Sequence, residues 1–206
     1  MTAVVYCVMS IYRTRQTLLE RLRDRYDDSS WQEFIDTYRG YIFVVIRRMN
    51  IDEADAEDLV QQVLIKMWEK LPDFAYDSKK RFRSFLATVT RNKVNDFIRS
   101  RMAELSRMEK MAGESEIDSL QNINVPDIEV IINKEWELFV SNLALKKIRE
   151  TSSAESVENF ERIMNGEDAA AIAAEKNINK NTVHQNVKRI KDKMIVEINR
   201  LRYELE

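Results

Sequence analysis

The chain has 206 residues, 44% of them apolar, and a formal net charge of −2, so it can build a core but lacks the excess charge for indiscriminate nucleic-acid binding along its whole length. Only three Gly and two Pro leave little turn chemistry for hairpins, so an all-α fold is expected. No apolar run reaches the roughly 18 residues of a membrane span, and the lone Cys7 excludes an intrachain disulfide and suits a reducing cytoplasm.

The N-terminal MTAVVYCVMSIYR has neither a positively charged opening nor a small-residue cleavage site, which argues against a signal peptide. Met9 begins MSIYRTRQTLLERL, so Met1 to Val8 reads as a start-site extension or a tail, and residues 1–12 are set apart on that ground. A helical domain is expected over 13–107, then a polar linker over 108–126 and a second helical domain over 127–206. The linker sequence MAGESEIDSLQNINVPD has no sustained period, and Gly113 and Pro126 bracket its centre. Gly40, within TYRGYIFVV, is read as permitting a close helix crossing.

Pro72 ends a helix expected over Ala56–Leu71. Leu59, Val60, Val63, Leu64, Met67, Trp68 and Leu71 fall on one broad apolar face of it. Asp58, Gln61, Gln62, Ile65 and Glu69 fall opposite. A single exposed Ile is ordinarily without meaning, but one set among two Gln and two acids is a candidate protein-docking patch.

The next segment, DFAYDSKKRFRSF, interleaves Phe74, Tyr76, Phe82 and Phe85 with Lys79, Lys80, Arg81 and Arg83. Rings offer stacking surfaces to unpaired bases and cations hold phosphates. Phe82 and Phe85 are expected to fold back into the core. In the following helix, SFLATVTRNKVNDFIRSR, the residues Phe85, Leu86, Val89, Val94, Phe97 and Ile98 point one way. Ser84, Thr88, Arg91, Asn92, Asn95 and Arg99 form an acid-free outer face whose members can all donate hydrogen bonds. A solvated helix face would explain this basic block alone. A second such block, from Lys176 to Arg202, shifts the expectation towards an anionic partner such as DNA.

That second block contains GEDAAAIAAEKNINKNTVHQNVKRI. Acids Glu167 and Asp168 open a short helix, and Ala173 is small where two helices cross. Asn177 suits a left-handed turn position, Ile178 plugs the turn, Asn179 caps the next helix, and Val183, Val187 and Ile190 pack back. The pattern describes a helix-turn-helix. Its outer face carries Asn181, Thr182, Gln185, Lys188 and Arg189: amides suited to adenine edges, a guanidinium suited to guanine, an ammonium suited to phosphate. Such a helix is expected to lie in a major groove.

Together these pieces resemble a bacterial RNA polymerase sigma factor of the extracytoplasmic-function group. DAEDLVQQVLIKMW and FRSFLATVTRNKVNDFIR are similar to its region two, and NFERIMNGEDAAAIAAEKNINKNTVHQNVKRIKDKM to its region four. The opening RTRQTLLERLRD is similar to a subgroup found in planctomycete-type bacteria. Asn177 and Asn181 depart from the group, which often has Gly there, and the usual Leu-Pro before region four is missing.

The resemblance implies that the Asp58/Gln61/Gln62/Ile65/Glu69 face docks on the clamp helices of the β′ subunit of core RNA polymerase. The Phe74–Phe85 loop, with Tyr76, Lys79, Lys80, Arg81 and Arg83, would open and read the minus-ten promoter element together with the helix after it. The helix-turn-helix would read the minus-thirty-five element beside the β flap. Further implications are an anti-sigma factor as an additional partner, cytoplasmic localisation without membrane insertion, and no cofactor. His184 and Cys7 have no partners at ligand or nucleophile spacing, so neither an enzyme nor a metal site is expected. Two rivals share parts of the pattern: a helix-turn-helix regulator that never joins polymerase, and a helical adaptor binding acidic proteins. Neither needs the aromatic–basic loop.

Overall fold

A computed structural model describes residues 18–73, 82–112 and 127–205. After a short helical stretch over 18–21 come seven helices: α1 Asp28–Arg47, α2 Glu53–Lys70, α3 Phe82–Ala112, α4 Ile128–Thr151, α5 Ala154–Met164, α6 Ala169–Glu175 and α7 Lys180–Leu205. No strand occurs among the described residues, and the expected all-α fold holds. The chain divides into two compact units, the first Met1–Trp136 with Leu205–Glu206 and the second Glu137–Glu204.

Caps set the helix starts in the first unit. Asp27 accepts the Ser30 amide at 3.1 Å and both neighbouring serine hydroxyls, which hold its carboxyl well below the usual carboxylate range. Asp52 accepts the Asp55 amide at 2.9 Å, so α2 begins at Glu53, three residues before the expected Ala56. Asn50, at φ 59°, turns the chain out of α1 in the left-handed region that Asn tolerates.

Helices α1, α2 and α3 enclose the first core, with Phe34, Ile42, Val45 and Ile46 meeting Leu59, Val60, Val63, Met67, Phe82, Leu86 and Val94. Phe82 packs edge-on to Phe34 at 6.1 Å and against Tyr38 at 5.2 Å, so it does fold into the core, whereas Phe85 is half-buried. Gly40 plays no part in a crossing. It is exposed, and a Cβ there would meet nothing within 4 Å.

The first turns of α4 complete this unit. Trp136 is wholly buried and meets the Tyr41 ring edge-on at 5.3 Å, while the Tyr41 hydroxyl donates to the Ile132 carbonyl at 3.4 Å. Burial pushes the Tyr41 phenol well above its ordinary pKa. Arg48 pairs with the buried Glu135 at 3.1 Å.

The second unit has two apolar clusters. Ile148, Val157 and Ile190 form one, with Phe160 and Met194 against it. Ala169, Ile172, Ala173, Val183 and Val187 form the other, with Phe160, Ile163 and Ile178 against it. Arg162 ties α5 to α6 by pairing with Glu167 at 2.7 Å and Glu175 at 2.6 Å.

Candidate nucleic-acid interface

The helix-turn-helix follows from backbone chemistry. Gly166, at φ 93°, ends α5 in the left-handed region, and the Glu167 amide donates back to the Arg162 carbonyl at 3.1 Å. Asp168 then caps α6 by accepting the Ala170 amide at 3.0 Å. Asn177, at φ 52°, repeats the device after α6: the Ile178 amide donates to the Ala173 carbonyl at 3.0 Å and the Asn177 amide to that of Ala174 at 3.3 Å. Asn179 caps α7 through its side chain on the Asn181 amide at 2.8 Å. Ile178 packs onto the cluster of Ala173, Val183 and Val187, as its plugging role requires.

This leaves Asn181, Thr182, Gln185, Lys188 and Arg189 exposed on α7, with Val183, Val187 and Ile190 buried behind them. Asn186 is buried as well, which removes it from any outward face. Beside Arg189 runs a cleft lined by Thr151, Ser152, Ser153, Ser156 and Lys193. Lys193 spends its ammonium there on the Thr151 carbonyl at 3.3 Å and the Ser152 hydroxyl at 2.8 Å.

On α3, Ser84, Thr88, Asn92 and Arg99 are exposed and Arg83, Arg91 and Asn95 half-buried. The outer face is less free than its sequence suggests. The Thr88 hydroxyl donates to the Ser84 carbonyl of its own helix at 2.7 Å and also accepts from Arg91 at 3.4 Å. Arg99 pairs with Asp96 at 2.9 Å. Arg91 pairs with Glu129 of α4. Arg83 donates to the Asn133 side-chain oxygen at 2.6 Å and lies over the Trp136 ring at 5.3 Å. Glu129 and Asn133 were invisible as covering groups because they lie 38 and 50 residues further along the chain. Tyr76, Lys79, Lys80 and Arg81 lie outside the described residues.

On α2, Asp58, Gln61, Gln62 and Glu69 are exposed, and Ile65 retains 57% of its surface. Lys66 bonds Glu69 at 2.8 Å and lowers its pKa. Trp68 departs from expectation. It is 41% exposed rather than core, its indole N–H donates to the Arg25 carbonyl at 3.4 Å, and the Arg25 guanidinium lies 5.5 Å from its ring. At 3.6 residues per turn Trp68 stands about 60° from Ile65, at the rim of the apolar arc, and that rim position is the signal that could have found it. Ile65 and Trp68 thus make one exposed apolar pair on an otherwise polar surface.

No group of three or more metal-binding side chains occurs among the described residues, and no described helix is long and apolar enough to cross a membrane.

No curated protein sequence matches the chain. Nine solved chains do, among them one from a structure of CnrH in complex with the cytosolic domain of CnrY, at 18% identity and a TM-score of 0.37, covering 90% of this chain and 97% of that one. The family described as Sigma-70 region 2 matches residues 34–104, the stretch that holds α2 and most of α3 with their outer faces.

Proposed function

We propose that the chain is a sigma factor of the extracytoplasmic-function group, a non-catalytic subunit that brings core RNA polymerase to promoters. The observation that carries this reading is one chain holding both a match to Sigma-70 region 2 over 34–104 and, beyond it, a capped helix-turn-helix with an outward face of amides and cations. Region two is assigned to 13–107 and region four to 127–206, joined across 108–126. The α2 face of Asp58, Gln61, Gln62, Ile65 and Glu69 docks on polymerase. Residues of the 74–83 segment and the outer side of α3 contact the opened minus-ten strand, and α7 enters the major groove upstream. An anti-sigma factor is a further partner under this reading, and the site of action is the cytoplasm.

The test is reconstitution. Purified chain is mixed with core RNA polymerase and transcribed on a library of genomic fragments. Co-elution with polymerase and transcripts from a shared promoter pattern are expected. Sequence-specific duplex binding without polymerase association would instead identify a free-standing helix-turn-helix regulator.

A further inference from the structure

The first turns of α4 place on α3 the chemical groups that a nucleic-acid strand would bring. Glu129 sets a carboxylate on Arg91, where a phosphate would sit. Asn133 sets an amide oxygen on Arg83 at 2.6 Å, and Trp136 sets an aromatic ring under the same guanidinium at 5.3 Å, as a stacked base would. The contacts are graded along the segment. Glu129 keeps 49% of its side chain exposed, whereas Trp136 is wholly buried and Glu135 nearly so. Glu129 and Asn133 thus reach α3 through polar side-chain pairs, which are individually weak where solvated, while the buried Ile132, its carbonyl on the Tyr41 hydroxyl, and Trp136 hold the helix in place by packing.

We propose that the side chains of Glu129 and Asn133 form an intramolecular latch that mimics a nucleic-acid strand, occupies Arg83 and Arg91, and must swing away before α3 can hold single-stranded DNA. The inference rests on the reading of the outer side of α3 as a DNA surface. The anchors at Ile132 and Trp136 keep the two side chains close, so the chain rests in the covered state and DNA competes for the same two guanidinium groups. A strand that supplies several phosphates at once can displace one carboxylate and one amide.

The full chain and its Glu129→Gln/Asn133→Ala variant are titrated with fluorescent single-stranded oligonucleotides of randomised sequence. Loss of two exposed polar pairs should tighten binding by about five- to tenfold, and adding Arg91→Ala should cancel the gain. Equal, measurable affinity in the two proteins overturns the latch while leaving the DNA surface standing. Failure of both to bind overturns the DNA surface and the latch with it. Hydrogen exchange on the unmutated chain gives an arm that does not depend on how the variant folds. Amides of 128–131, the turn that loses its tie to Arg91, should exchange faster with oligonucleotide bound, and unchanged or slower exchange in the bound state overturns the latch.

Discussion

At the scale of single residues, exposure decides what a side chain is for. Gly40 sits inside α1 with solvent where its side chain would be, so its only effect is to give the unfolded chain more freedom. Gly40→Ala should therefore stabilise the protein by about 0.5–1 kcal/mol, measured by urea unfolding. A loss of stability would mean that a neighbour closes on this position in solution. Ile65 poses the opposite question, because its exposed side chain contributes little to the core. Buried in a partner, such a side chain contributes about 1.5–3 kcal/mol, so Ile65→Glu should weaken polymerase binding roughly ten- to hundredfold with an unaltered melting curve. Unchanged affinity by calorimetry against a β′ clamp fragment would remove this face from the docking surface.

At the scale of elements, the helix-turn-helix was legible in the sequence because its determinants are local. Asn177, Ile178 and Asn179 act on backbone groups within five residues of themselves, and the left-handed angle and cap that they require are both present. The ionic tie across α5 and α6 was not legible, since nothing in the sequence says that Arg162 reaches Glu175, 13 residues on. That tie carries a pH signature. The Arg162 hydrogen bond lowers the Glu175 pKa below its ordinary 4.5. Between the folded and unfolded values the unfolded chain binds more protons, so this contribution is fully present above 4.5 and lost as pH falls through the folded value. Arg162→Met should leave the second unit less stable at neutral pH and flatten its loss of melting temperature on acidification. Parallel acid profiles in the two proteins would show the tie to be energetically silent. On α7, Gln185 and Arg189 are one turn apart on the exposed face and can each make two-point contacts with base edges worth about 1–3 kcal/mol of discrimination. Gln185→Ala or Arg189→Ala should relax preference at one or two upstream promoter positions. Lys188→Ala should weaken binding evenly and reduce the salt slope by about one. Holoenzyme binding across a randomised upstream element at two salt concentrations separates these outcomes, and the reverse assignment would mean that the helix is rotated in the groove.

At the scale of the whole molecule, the sequence marks a polar linker over 108–126, and the first compact unit runs on past it to Trp136. Composition marks 108–126 as polar and aperiodic, but contact between distant segments leaves no periodic trace. The Tyr41 hydroxyl and the Ile132 carbonyl are 91 residues apart, and Trp136 looks in sequence like any other apolar position of α4. The first unit thus takes in chain on both sides of 113–126, reaching Trp136 inside the continuous helix α4, together with Leu205–Glu206. A cut in the intervening stretch should therefore leave the pieces associated. A protease site placed between residues 113 and 126 permits the test. After cleavage, the fragments should co-elute in gel filtration at micromolar concentration, held by Ile132, by Trp136 against Tyr41, and by the Arg48–Glu135 pair. Truncating a buried Trp costs about 3–5 kcal/mol, roughly a hundredfold to a few thousandfold in affinity, so Trp136→Ala should let the cleaved fragments separate. The uncut variant, where the same contact is intramolecular, should keep its helical content by circular dichroism. Separation of the unmutated fragments on cleavage would show that α4 docks on the first unit too weakly to define it.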